Sequence, residues 1–132
     1  MRGSPEWALL SASYANLLHT DASQMTWFLS VVRGPLDLMR PHFAFADVDT
    51  VIARNMDADG PDPRTLAWPL MIFGPKEVER IGREKLEDAP AWKVEELPYG
   101  GIWVQVWENP FDAPQKMVTA LGKHLGMDAR KG

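Results

Sequence analysis

The sequence predicts an α+β fold with a small, mostly antiparallel sheet and two to four helices packed on it. Short apolar segments bounded by Pro, Gly or Asn alternate with segments whose apolar residues recur at the helical period. A Gly-rich turn near residue 100 separates two segments of alternating polarity, which is typical of an antiparallel hairpin.

Length and composition indicate one domain. The chain has 132 residues and no Cys, and a domain of this size can bury a core without disulfides or metal. We place the domain at residues 5–128 and exclude residues 1–4 (MRGS) as a remnant of an expression tag. No membrane span is expected, because no apolar run approaches the roughly 20 residues that a spanning helix needs.

The net charge and the first residues of the chain limit the kinds of partner and the cellular location that we expect. The formal net charge is −4 and no basic cluster occurs, which argues against a nucleic-acid partner. The start of the chain lacks the apolar core of a signal peptide, so we expect a cytoplasmic protein. The absence of Cys is equally compatible with the periplasm.

The first elements are a strand and a helix. Residues 7–14 (WALLSASY) predict a strand, with a helix beginning one residue later as the alternative. Residues 22–33 carry apolar side chains at the helical period, and Thr20 or Asp21 would cap that helix. Gly34-Pro35 is a typical helix end.

Residues 36–65 combine conflicting signals. After a short turn, they allow a strand at His42–Ala46 and a helix at Val48–Met56. Two prolines and a glycine lie among acidic residues in Asp57–Arg64, which predicts a loop.

The segment from Leu66 onward predicts a strand followed directly by a helix. Leu66–Phe73 is an apolar run, and Pro69 within it predicts an edge strand or a bulge because proline cannot donate to a ladder. Pro75 is favoured at the first helical position, so we expect a helix over Lys76–Leu86. Its apolar stripe consists of Val78, Ile81 and Leu86.

The segment WKVEELPYGGIWVQVWE predicts a hairpin whose register depends on loop length. Opposed residues share a face, so an even loop would place Lys93 and Glu95 among apolar side chains. An odd loop such as Tyr99–Gly101, with a glycine in the left-handed conformation, avoids this. One face then carries Trp92, Val94, Ile102, Val104 and Val106. The other carries Lys93, Glu95, Trp103, Gln105 and Trp107.

A last helix is expected over Ala113–Leu125. Asp112 would be its N-cap and Gly126 would end it. The predicted apolar stripe is Met117, Ala120, Leu121 and Leu125.

No motif in the sequence predicts a catalytic residue, a cofactor or a metal. A calcium loop counted from Asp57 would meet Pro61 and Trp68 at positions that require oxygen ligands. The serines lack the Gly-x-Ser-x-Gly elbow, and no phosphate-binding glycine loop is present. No two histidines lie one helical turn apart, and His124 near a helix end suits the helix dipole better than a metal.

The face that carries Trp103 and Trp107 has two interpretations. If it is uncovered, two indoles framed by Lys93 and Glu95 have the composition of a protein-binding hot spot. If a helix covers it, the sheet is a buried middle layer. The sequence leaves both open.

The chain resembles the C-terminal half of bacterial toxin-immunity proteins, the type VI secretion immunity family and related polymorphic-toxin immunity proteins. The similarity covers residues 65–125, and a weaker similarity covers residues 5–14. The pattern is an apolar strand with an early Trp, a helix ending near Gly, a Gly-rich turn, a strand containing Gln and a Pro-Phe-Asp exit. The matching residues are Trp68, Gly74-Pro75, Ile81-Gly82, Val94, Gly100-Gly101, Val104-Gln105-Val106 and Pro110-Phe111-Asp112.

The resemblance implies a non-enzymatic protein that binds and neutralises a cognate toxin protein. The candidate contact residues are Trp92, Lys93, Glu95, Trp103, Gln105 and Trp107. Two alternatives remain. One is a small-molecule or enzymatic site within residues 36–65, using His42, Asp47, Asp49 or Arg54. The other is a homo-oligomer, in the simplest case a homodimer, that buries the tryptophan face.

Overall fold

A central antiparallel sheet organises the computed structural model, which describes residues 29–30, 33–34, 36–47, 55 and 65–131. In chain order the elements are α1 (Leu36–Met39), β1 (Phe43–Ala46), β2 (Leu66–Ala67), β3 (Leu70–Phe73), α2 (Pro75–Ile81), α3 (Arg83–Glu87), β4 (Lys93–Glu96), β5 (Ile102–Gln105), a 3-10 helix (Pro110–Asp112), α4 (Gln115–Leu125) and β6 (Asp128–Ala129). The fold is α+β, as the sequence predicts.

Several predicted elements lie wholly or partly outside the described residues. These are the strand at 7–14, most of the helix at 22–33, the helix at 48–56 and the loop at 57–64. Leu29, Ser30 and Arg33 are helical, in agreement with the second of these, and so is Asn55.

Four of the described strands form one sheet in the order β1-β3-β5-β4, with every pair antiparallel. The inner strands, β3 and β5, are buried at all four positions because apolar layers cover both of their faces. The outer strand β4 has the sequence KVEE and is only partly buried.

The two faces of the sheet pack against different parts of the chain. One face contacts α2, α3 and α4, and we call it the helical face. Its buried core includes Met71, Phe73, Val78, Leu86, Ile102, Val104, Val118, Leu121 and Leu125. The opposite face packs Leu70, Ile72 and Trp103 against Leu36 and Leu97, with Leu29 and Tyr99 at its margin. The sheet is therefore the middle layer of the described structure.

Pro69 separates two strands, so the prediction of one strand over Leu66–Phe73 was wrong. β2 ends at Ala67 and pairs in parallel with β6, whereas β3 starts at Leu70 and joins the main sheet. Since β3 lies between β1 and β5, Pro69 does not mark an edge strand. Its carbonyl accepts a hydrogen bond from Val106 N–H at 2.8 Å. Because proline has no N–H, Pro69 has no other main-chain group that needs a partner.

The predicted helix over Lys76–Leu86 is two helices, α2 and α3, that meet at Gly82. Gly82 has a φ of 109°, which is unfavourable for a residue with a side chain but accessible to glycine. The chain changes direction at this residue. Pro75 does occupy the helix start, as predicted.

The final helix begins later than predicted. Asp112 belongs to the preceding 3-10 helix, and Pro114 is the N-cap of α4, so Asp112 is not that cap. The buried stripe includes Val118 and Gly122, whereas the predicted Ala120 is exposed. Gly126 ends the helix in the left-handed conformation, as predicted.

The hairpin has the predicted odd register. Val94 lies opposite Val104 and Glu95 lies opposite Trp103. The left-handed glycine is Gly100, with φ of 96°, and the Leu97 N–H donates to the Gly101 carbonyl at 2.8 Å. The three-residue loop is therefore 98–100, one position earlier than the example in the prediction.

Candidate functional site

Two exposed tryptophans lie at the open end of the β4–β5 hairpin. Trp92 is 55% exposed and Trp107 is 40% exposed. The Trp92 N–H donates to the Val106 carbonyl at 3.2 Å, and Trp107 is the next residue, so the main chains of the two tryptophans lie close together at this corner of the sheet. Large aromatic side chains at the surface are the residues most enriched at binding hot spots.

A buried amide holds the chain that leaves β5 in this corner. The Gln105 side chain is only 2% exposed and donates from Nε2 to the carbonyls of Trp107 and Glu108, at 3.1 and 2.9 Å. Its Oε1 accepts from the indole Nε1 of Trp103 at 3.0 Å. Because all these polar groups have hydrogen-bond partners, the Gln105 side chain holds the turn that carries Trp107 in place.

A small charged cluster lies beside β4, on the face that carries Trp103. Arg33 donates from Nη1 to Glu95 Oε1 at 2.7 Å and from Nη2 to Oε2, while Lys93 Nζ lies 3.2 Å from Oε1. The hydrogen bonds from Arg33, followed by those from Lys93 and the charges of both, lower the pKa of Glu95 to about 2. The Arg33 guanidinium also lies 5.7 Å from the centroid of the Trp103 ring.

The six candidate contact residues therefore separate into two groups. Trp103 and Gln105 are each 2% exposed, so the expectation that their side chains face a partner was wrong. The layer containing Leu36, Leu97 and Arg33 covers Trp103, which corresponds to the second interpretation of this face. Trp92, Lys93 and Trp107 are exposed and Glu95 is partly exposed. For these four a role in binding stays a prediction.

His42 and Asp47, the two described residues of the alternative small-molecule site, do not converge. His42 and Asp47 flank the two ends of β1, so about 16 Å of strand separates them. Asp47 is buried and paired with Arg130, at 2.5 Å from Nε to Oδ2. Asp49 and Arg54 lie outside the described residues.

A shallow surface depression of about 430 Å³ borders the start of α2. It is lined by Pro75, Lys76, Val78, Glu79 and Arg83. Arg83 is already engaged with Glu96, 3.4 Å away, and with the Gly100 carbonyl at 3.3 Å. The depression therefore offers mixed charges and no convergent set of polar groups.

His124 has a structural contact. Its Nε2 lies 2.7 Å from the Lys85 carbonyl and so joins α4 to α3. Across the described residues, no group of three or more His, Asp or Glu is arranged to hold a metal ion. None of the described helices has the length and apolar content required to cross a membrane.

Sequence reasoning missed a buried polar cluster that joins three distant segments. Arg130 contacts Asp47 and also donates to Gln115 Oε1, while Gln115 Nε2 donates to the Arg130 carbonyl at 3.0 Å. Asn55 exchanges two hydrogen bonds with the main chain of Lys131, at 2.8 and 2.9 Å. No local motif marks these residues, since their partners lie 15 to 83 positions away.

Comparisons with protein-family models, with curated proteins and with solved structures give no match. The fold and the site thus define a small α+β domain with an exposed aromatic corner beside a charged edge strand.

Proposed function

We propose that this protein binds and neutralises a cognate bacterial secreted toxin, without catalysing a reaction, in the manner of toxin-immunity proteins. The observation that carries the proposal is the corner formed by Trp92 and Trp107, two large aromatic side chains that remain 55% and 40% exposed. Residues of this type at the surface supply contact area at small entropic cost, and Lys93 and Glu108 beside them supply polar contacts at the rim.

The nature of the partner is argued from sequence and charge. The resemblance of residues 65–125 to immunity proteins supports a toxin as the partner. A formal net charge of −4 favours a partner whose binding surface is positive, because complementary charge accelerates encounter and selects partners. The protein would then act in the cytoplasm of the producing cell.

The test is rescue from toxicity. Each gene adjacent to the coding sequence is expressed with and without this protein, and growth and complex formation are measured. We expect one neighbour to be toxic alone, harmless in co-expression and recovered as a stable complex. If no neighbour is toxic, or if none is rescued, the proposal is wrong.

The corner is tested by a double variant, Trp92→Ala with Trp107→Ala. We expect it to lose complex formation and rescue, with affinity reduced by about 1,000-fold if each indole contributes about 2 kcal/mol as a hot spot. The matched control is Leu38→Ala with Met39→Ala, since these apolar residues are 88% and 55% exposed on α1, outside the β4–β5 hairpin. Equal loss of rescue in the two double variants would place the contact surface elsewhere.

A further inference from the structure

Within the part of the chain that the structure describes, the outer edge of β4 has main-chain groups without a hydrogen-bond partner. The Leu97 N–H donates to the Gly101 carbonyl in the same register, so odd-numbered residues of β5 direct their main-chain groups toward β4 and even-numbered residues toward β3. On β4, Lys93 and Glu95 lie opposite the odd-numbered Gln105 and Trp103 and bond to β5. Val94 and Glu96 consequently direct their N–H and C=O groups outward, and no described residue pairs with them.

We propose that this edge pairs antiparallel with the same edge of a second copy of the chain, across a two-fold axis at Val94. In this register Val94 lies opposite the partner subunit's Val94. Lys93 then lies directly opposite the partner subunit's Glu95, and the symmetry makes the same pair a second time. Trp92 lies opposite the partner subunit's Glu96 on the helical face.

Charge selects this register over its neighbours. Centring the axis on Lys93 would oppose two lysines, and centring it on Glu95 would oppose two glutamates. Centring it on Glu96 would oppose two glutamates and would also place Pro98, which has no N–H, opposite Val94. Opposite charges directly across an antiparallel pair stabilise it and like charges destabilise it. Only the axis at Val94 pairs opposite charges without opposing like ones.

The proposed contact joins the two four-stranded sheets into one continuous eight-stranded sheet. It also reduces the exposure of Trp92, which is 55% exposed in one copy. An edge of four residues is short compared with a standard interface, which buries about 1,600 Å². We therefore expect a weak dimer that forms with rising concentration. The pairing goes beyond the proposed function and stands without it, although a toxin seated on Trp92 would compete with a second copy.

The first test is charge reversal measured by sedimentation equilibrium over a range of concentrations. Wild type should dimerise, whereas Lys93→Glu and Glu95→Lys should each dimerise at least about tenfold more weakly, because each opposes like charges twice. An equimolar mixture of the two variants should recover the dimer, since the reversed charge at position 93 of one variant then meets the reversed charge at position 95 of the other. The control Lys76→Glu reverses an exposed charge on α2 and should dimerise as wild type does.

The second test is disulfide trapping, which also decides the matter if Glu95→Lys fails to fold. The chain has no Cys, so Lys93→Cys and Glu95→Cys each supply a single thiol. In a dimer of the two variants, the Cα atoms of Lys93→Cys in one copy and Glu95→Cys in the other would lie about 4.5 Å apart, within disulfide range. Each variant alone places its two thiols on a diagonal about 7–8 Å apart, which disfavours a bond. We expect the mixed disulfide to dominate over both self-disulfides.

Three results would overturn the pairing. They are a wild-type monomer at all concentrations, a dimer whose stability Lys93→Glu leaves unchanged, and disulfides that form as readily in each cysteine variant alone as in the mixture.

Discussion

Nε of Arg130 donates to Oδ2 of Asp47 at 2.5 Å, and these two side chains are only 7% and 1% exposed. The contact joins the residue after β1 to the segment after β6, and Gln115 at the start of α4 completes it. Breaking a buried pair by removing one partner leaves the other charge without compensation. The cluster therefore stabilises the C-terminal segment against the rest of the fold.

Arg130→Ala should lower the free energy of unfolding by about 3–5 kcal/mol, measured by urea denaturation at neutral pH. The control is Arg83→Ala, whose side chain is 44% exposed in its pair with Glu96 and should cost no more than about 1 kcal/mol. Replacing both buried partners, as Asp47→Leu with Arg130→Met, should cost less than Arg130→Ala alone. Equal costs for Arg130→Ala and Arg83→Ala would contradict this account.

Gln105→Leu should destabilise the protein by about 1–3 kcal/mol, because it leaves the Trp103 N–H and two main-chain carbonyls without their buried partner. Thermal unfolding measures the effect. Trp92→Ala, at an exposed position near the same corner, is the control and should change stability little. If Gln105→Leu unfolds like wild type yet weakens partner binding, Gln105 contacts the partner after all.

The sequence predicts correctly those features of the fold that depend on residues close together in the chain. The parity of the hairpin follows from charge, because only an odd loop keeps Lys93 and Glu95 away from the apolar face. Pro75 and Gly126 are placed correctly because caps depend on one or two residues.

Long-range contacts are what the sequence does not reveal. Trp103 and Trp107 have the same parity, yet only Trp107 is exposed, because the covering layer reaches Trp103 and not the residues beyond β5. In the same way, Pro69 alone predicts an edge strand or a bulge, and its actual place between two strands depends on the distant pairing of β6 with β2. The exposure of a candidate contact residue is thus a property of tertiary packing.

Glu95 should contribute stability that is lost in acid. Its pKa is lowered from 4.5 to about 2, chiefly by hydrogen bonds from Arg33, so the contribution is complete above pH 4.5 and declines as pH falls toward 2. Glu95→Gln should therefore unfold more easily than wild type at pH 7, with the difference shrinking toward pH 2. Melting temperatures at successive pH values test this, and a difference independent of pH would exclude the ionic origin.

Glu87 should show the opposite dependence. Hydrogen bonding with Glu96, followed by loss of water contact and the like charge of Glu96, raises the pKa of Glu87 above 4.5. A raised pKa in the folded state means that the favourable contribution is complete below pH 4.5 and is lost as pH rises through the folded value. At neutral pH two carboxylates then repel each other between α3 and β4.

Glu87→Gln removes that repulsion and should raise the melting temperature at pH 7, while giving no advantage at pH 4. Glu84→Gln, exposed on the same helix, is the control for a general change in net charge and should show a smaller difference between the two pH values. A melting temperature at pH 7 that falls in Glu87→Gln would mean that the Arg83 charge near Glu87 outweighs the repulsion from Glu96.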